Sequence, residues 1–355
     1  MLARRRRGNG TRSTADGGYG GYAGEALMAT FIARRLIGMV LVLIVVSFFV
    51  FLIFIVVPGG DPAVRIAGRT ANDQNIENIR KTWGFEDPFY VQYANMMKKA
   101  INGVRPNCCE GQQDELRSQT NQLNVVDQIK AGLPATFSLA LGAAVIWLFF
   151  GVLVGIIAAV RAGQWSDRLI TLVALIGISM PVFWLGIIAR YYLSEGGIMT
   201  LFPDGEYVPL SQDPVQWFWH LLLPWCVLAV LFIGFYGRVM RGNILDTINE
   251  DYVRTARAKG LEPRRVMRKH VLRNSLIPIV TLFGLDFAAV LGGGAILTET
   301  VFDLHGVGQY AAQSIRNFDL PPIMGVTLYG AFFIVLFNAI VDFMYAYLDP
   351  RIRPT

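Results

Sequence analysis

Residues 131–160 read AGLPATFSLALGAAVIWLFFGVLVGIIAAV, thirty positions without a charge. A helix needs about 20 mostly apolar residues to cross the hydrocarbon core of a bilayer. This stretch is therefore a membrane span on its own evidence. Five further segments meet or approach the same test: 36–57, 169–189, 215–237, 276–298 and about 320–347. Charge is scarce inside them, with His220 in the fourth, Asp286 in the fifth and Asp342 near the end of the sixth. Helices buried in a soluble core would show polar residues at helical spacing, which these segments lack.

Composition agrees. Only 16% of the 355 residues are charged, against about 25% in an ordinary soluble domain, and the mean hydropathy is +0.43. The expected fold class is an all-α integral membrane bundle of six transmembrane helices.

Lys and Arg in short loops set orientation. With the N-terminus cytoplasmic, the inner segments hold 21 of the 32 Lys and Arg. Most of the others lie in the long loop after the first span, where acidic residues from Asp61 to Asp127 offset them. Both termini are expected in the cytoplasm of a cell whose inner (plasma) membrane holds the chain. The net charge of +6 then follows from topology and requires no nucleic-acid partner.

The chain divides accordingly. Residues 1–27 carry Arg4 to Arg7 and a Gly/Tyr-rich run, cannot bury a core, and are expected to be a disordered basic tail. No cleavable apolar region follows them, so they do not read as a signal peptide. Residues 28–57 form the first transmembrane helix and 58–130 an extracytoplasmic insertion. Residues 131–347 form a core of five spans, with an inner loop at 241–275, and 348–355 a cytoplasmic tail. The adjacent Cys108 and Cys109 leave two readings open: an ordinary loop feature, or a disulfide on the side that permits oxidation. No Cys/His spacing suits a metal.

Within the inner loop, residues 249–261 read NEDYVRTARAKGL and 262–278 read EPRRVMRKHVLRNSLIP. Physically this is two short helices. Ile248, Tyr252, Thr255, Ala256 and Lys259 fall at helical spacing, and Gly260 suits the stop. Pro263 fits the first turn of the second helix. Small Ala256, Ala258 and Gly260 would let a partner's backbone approach closely. A basic helix lying on lipid would look similar.

The wording Tyr252-Val253-Arg254-Thr255-Ala256-Arg257-Ala258-Lys259-Gly260-Leu261, followed by Leu272-Arg273-Asn274-Ser275-Leu276-Ile277-Pro278, resembles the cytoplasmic loop of peptide-type ABC importer permeases. Thr255-Ala256 and Gly260 match the "EAA…G" core of binding-protein-dependent permeases. Arg254 stands where the general pattern has Glu, as is usual in the peptide branch. The resemblance covers about residues 28–353. It includes Pro58-Gly59-Gly60-Asp61-Pro62, Leu133-Pro134-Ala135-Thr136, Ser179-Met180-Pro181-Val182-Phe183-Trp184, Glu299-Thr300-Val301-Phe302, Gly306-Val307-Gly308 and Asp349-Pro350-Arg351-Ile352-Arg353.

The resemblance implies a type I ABC importer permease. Such a subunit forms half of a translocation pathway for short peptides. Its partners would be a second homologous permease subunit, two ATP-binding subunits, an extracytoplasmic substrate-binding protein and membrane lipid. It implies that Tyr252, Arg254, Thr255, Ala256, Arg257, Ala258, Lys259 and Gly260 couple to the ATPase subunits, which would bind ATP and Mg. This chain would need no cofactor and no catalytic residues of its own, and it has no phosphate-binding G-x-x-x-x-G-K-[ST] loop. The alternatives are a permease of the same family for nickel or another small solute, or an ion-gradient-driven secondary transporter. The last would show paired intramembrane charges and inverted repeats.

Within the spans, Pro181 would kink its helix and free a carbonyl. Gly292 and Gly293 allow close helix contact or a local break. Asp286 costs about 3 kcal/mol to insert, so it should face the bundle interior or water. It reads either as a contact for the amine of a peptide or as a residue paired at a subunit interface.

Overall fold

The computed structural model describes residues 19–57, 61–67, 72–102 and 115–348. Residues 1–18, Pro58-Gly59-Gly60, both adjacent cysteines and the tail from 349 onward lie outside the described residues. Among the described residues the chain is helical, with two isolated β-bridges, Arg117 to Asn124 and Ser194 to Phe202.

Helix α1 spans Tyr19–Phe51 and continues through a π-helical turn to Val56. The last nine residues of the expected disordered tail are therefore helical. The insertion holds α2 (Pro62–Ala67), α3 (Asp73–Trp83) and α4 (Phe89–Asn102). Asn72 caps α3 through its side chain, and Gly84 closes it with a left-handed φ of 66°.

Helix α5 spans Val125–Val160, so the expected insertion range 58–130 ends in what is already span two. Asn124 caps it by accepting from Val126 N and Asp127 N. Helix α8 spans Pro214–Thr247 and is capped by Asp213. The two lie parallel, for their contacts advance together along both helices. A Cβ on Gly142 would collide with the Trp225 ring, one on Gly151 with Tyr236, and one on Gly155 with Met240. The bundle core follows this contact, with Leu139, Ala143, Trp147, Leu228, Tyr236 and Met240 all buried. Since α5 begins at the insertion, the end of α8 lies on the opposite side of the membrane.

The third span is broken. Helix α6 (Trp165–Ser179) and α7 (Val182–Leu193) meet at a 98° bend over Met180 and Pro181. The sequence predicts a kink there, and the structure turns it into a corner. Proline has no N–H to continue the helix, and the residue before it is driven out of the helical region; Met180 has ψ 128°.

After α8 come α9 (Asp251–Ala258) and α10 (Pro263–Val266), then a π-helical stretch at Met267–Leu272 and α11 (Arg273–Ala289). Only the first of the two expected short helices is separate. The second is the base of span five, which runs from Pro263 to Gly294. That span ends in a π-helical turn, Val290–Gly294, in which Gly293 has φ 129°. Two short helices follow, α12 (Ile296–Val301) and α13 (Val307–Arg316), and α14 (Leu320–Leu348) is span six. Among the described residues five helices are thus long and apolar enough to cross a membrane, and six spans result if the bent pair counts as one.

Candidate functional site

Helix α9 is fastened to the bundle by one apolar face. Val253 is fully buried and Ala256 is 5% exposed, both in the core cluster with Ile244, Val266 and Val271. Ala256 therefore packs inside its own chain and does not offer a close approach to a partner, which corrects the sequence expectation for that residue. Tyr252, Arg254, Thr255, Arg257, Ala258, Lys259 and Gly260 are all exposed. Gly260 takes a left-handed φ of 74°, with open space where a Cβ would stand. Its N–H closes α9 on Arg257 O at 2.9 Å.

Two polar contacts carry α9 into the spans. The Tyr252 hydroxyl accepts from Asn274 Nδ2 at 2.7 Å and reaches His270 O at 3.4 Å, at the base of span five. Beside it, buried Ser275 bonds Asn243 O at 3.2 Å and Thr247 Oγ1 at 3.1 Å, tying span five to span four. At the same end of the bundle, Asp167 accepts a two-pronged bond from Arg241, at 2.7 and 2.8 Å, and a third bond from Gly163 N. Arginine's planar fork suits this geometry, and the pair pins span three to span four.

Further into the membrane, Asp286 accepts from the Tyr236 hydroxyl at 2.7 Å, across spans five and four. Tyr236 is buried, and Asp286 is half-buried. The carboxylate thus has one protein donor and an accessible remainder. Pro181 lies exposed at the corner between α6 and α7. Gly292 and Gly330 meet backbone to backbone, since a Cβ on Gly330 would stand 2.4 Å from Gly292 O. Close contact at Gly292 and a local break at Gly293 both occur. The structure does not gather Pro181, Asp286, Gly292 and Gly293 into one pocket.

Glu299 has a structural prominence that the sequence reading did not give it. Its side chain is fully enclosed. One oxygen accepts from Thr136 Oγ1 at 2.7 Å and the other from Gln309 N at 2.9 Å, while Val307 N donates to Thr136 Oγ1 at 2.9 Å. The carboxylate thereby serves the open N–H groups at the start of α13. Gly306 and Gly308 are required there, because a Cβ on either would stand within 3 Å of the carboxylate. Three separate motifs, Leu133 to Thr136, Glu299 to Phe302 and Gly306 to Gly308, thus form one buried knot. The signal available in sequence was their shared membership of one pattern, with nothing to say that they touch.

Two outlying carboxylates fasten neighbouring segments. Buried Asp319 accepts from Ser118 Oγ, from Gln119 N at 3.1 Å and from Thr120 N at 3.2 Å, joining the insertion to the start of span six. Asp204 accepts from Arg190 Nε at 2.6 Å, and that guanidinium bond holds its carboxyl below the usual range.

Comparison with known proteins accords with this geometry. A family model described as "Binding-protein-dependent transport system inner membrane component" matches residues 151–354, and its N-terminal companion matches 28–140. A "Probable peptide ABC transporter permease protein" of Sinorhizobium fredii is 36% identical over 327 residues, covering 92% of this chain and 100% of that one. A "Probable D,D-dipeptide transport system permease protein" of Escherichia coli K12 is 35% identical, covering 90% and 96%. Among solved structures, an inward-facing methionine ABC transporter shares the fold with a TM-score of 0.51 at 17% identity, over 63% of this chain and 97% of that one.

Proposed function

The chain belongs to the family of binding-protein-dependent transport system inner membrane components, and from that premise we propose that it forms half of a pathway that takes up short peptides. The observation that carries the substrate class is end-to-end similarity to relatives whose names specify peptide or dipeptide transport. On this reading the insertion faces outward, toward a substrate-binding protein. Helix α9 and both termini face the cytoplasm, where two ATPase subunits bind ATP and Mg. A second homologous permease completes the pathway.

The mechanism follows from how α9 is held. Its exposed side, from Arg254 to Gly260, meets the ATPase, while Val253 and Ala256 fix it to the bundle. A push on α9 passes to span four through the chain and to span five through Tyr252 and Asn274. Those two spans carry Tyr236 and Asp286. Relative motion between them changes how much of the Asp286 carboxylate faces the pathway, where it can receive the amine of a peptide. Steric fit dominates the docking, since exposed ion pairs contribute only about 0–1 kcal/mol each.

The test is uptake of radiolabelled dipeptide by cells with and without the chain, with nickel and glutathione uptake measured in parallel. Loss of dipeptide uptake alone supports the proposal. Loss of nickel uptake with dipeptide uptake intact reassigns the substrate.

A further inference from the structure

From the way α4 stands against span one, we infer that this helix of the insertion lies in the membrane interface, its exposed face in contact with phospholipid of the leaflet on that side. The first observation is depth. Tyr93 of α4 bonds Ser47 at 2.6 Å, and its ring packs edge-on against Phe48 and Phe51. Ser47 lies inside the apolar run Ala33–Val56. Nine residues of helix separate it from the end of that run, roughly 13 Å at 1.5 Å per residue. The run is 24 residues long, about 36 Å against a hydrocarbon core of about 30 Å. Even if all the excess projects on the insertion side, Ser47 stays several ångströms below the boundary. Tyr93 must lie near that depth.

The second observation is polarity. A helix in water buries its apolar face and exposes its polar one. Helix α4 does the reverse at both its ends. Lys99 and Asn102 are buried at 5% and 9% exposure, beside Met96. Phe89, Tyr90 and Ile101 are 59%, 63% and 49% exposed. Tyr90, Ala94 and Ile101 fall on one side, because eleven residues make just over three whole turns. Phe89 and Tyr90 pack edge to face at 5.9 Å, one turn from Tyr93. Aromatic rings gather at the headgroup level of a bilayer. Lys98 flanks this face, and its stem can lie on lipid while the ammonium reaches the headgroups.

The insertion therefore acts as an outrigger for span one as well as a surface for a soluble partner. The inference rests on the chain crossing a membrane and not on the identity of the substrate. The experiment places a nitroxide label at Tyr90→Cys or Ile101→Cys, with Glu86→Cys as the water-facing reference. Cys108, Cys109 and Cys226 are replaced by serine, and the assembled transporter is reconstituted in a phospholipid bilayer. Collision rates with oxygen, which concentrates in lipid, and with a water-soluble nickel chelate are then compared. A ratio of oxygen to nickel collisions several-fold higher at 90 and 101 than at 86 supports lipid contact. A ratio at either position equal to that at 86 overturns it. Exclusion of both reagents at both positions also overturns it, because a protein partner then covers the face.

Discussion

At the scale of single residues, two carboxylates differ in how completely the protein closes around them. Glu299 has its oxygens committed to Thr136 and Gln309 in a space closed to water. Glu299→Ala strands these donors, and each buried polar group left unsatisfied costs about 1–3 kcal/mol. The detergent-solubilised variant should melt several degrees lower, with Thr136→Val showing a smaller drop. The double variant should lose less than the sum of the two, because they share one network. Unchanged melting would show that the knot does not fasten α13. Asp286, by contrast, has one donor and an open side. Asp286→Asn keeps the shape and the bond from Tyr236 while removing the charge. Peptide-stimulated uptake should fall at least tenfold, a loss of about 1.4 kcal/mol, with basal ATP hydrolysis in the assembled complex retained. Equal losses in uptake and basal hydrolysis would return Asp286 to a purely structural role.

At the scale of the element, α9 shows why one face was misread. Helical spacing from Ile248 through Tyr252, Thr255 and Ala256 assumes unbroken phase. Helix α8 ends at Thr247, the backbone is extended at Glu250, whose ψ is 146°, and α9 starts afresh at Asp251. Ile248 therefore does not set the buried side; Val253 and Ala256 do. The helix itself, its stop at Gly260 and the fresh start at Pro263 are legible because Gly and Pro act locally. Continuity from Pro263 into span five is not, since a run of Arg and Lys resembles a loop in composition. The revised face yields a discriminating pair of variants. Ala258→Trp adds bulk on the exposed side and should leave the chain stable while abolishing ATPase association or stimulated hydrolysis. Ala256→Trp overpacks the core, at a typical cost of about 1–3 kcal/mol, and should lower the melting temperature of the isolated chain. If Ala258→Trp leaves stimulated hydrolysis at the wild-type rate, α9 is not the docking element.

At the scale of the whole molecule, hydropathy locates the spans but not their directions. That is why the 98° corner at Pro181 exceeds what a mid-span proline announces. The contacts of Glu299, Asp319 and Asp167 are hidden for a related reason: each joins segments far apart in sequence, apart from the nearby Gly163 and Gln309. Orientation, however, is a property of the entire chain and can be tested as one. Arg161, Arg168 and the ten Lys and Arg from Arg238 to Arg273 fall on the side of α9, and positively charged short loops resist transfer across the membrane. The parallel packing of α5 on α8 places the start of both helices, and with it the insertion, on the other side. Single cysteines at Glu86 and Lys259, in a background with the native cysteines replaced by serine, report both faces. A membrane-impermeant maleimide should label Glu86→Cys in intact cells and Lys259→Cys only after permeabilisation. The reverse pattern would turn α9 away from the compartment that contains ATP. Both the coupling role of α9 and the outward placement of the insertion would then fall together, while the fold itself would stand.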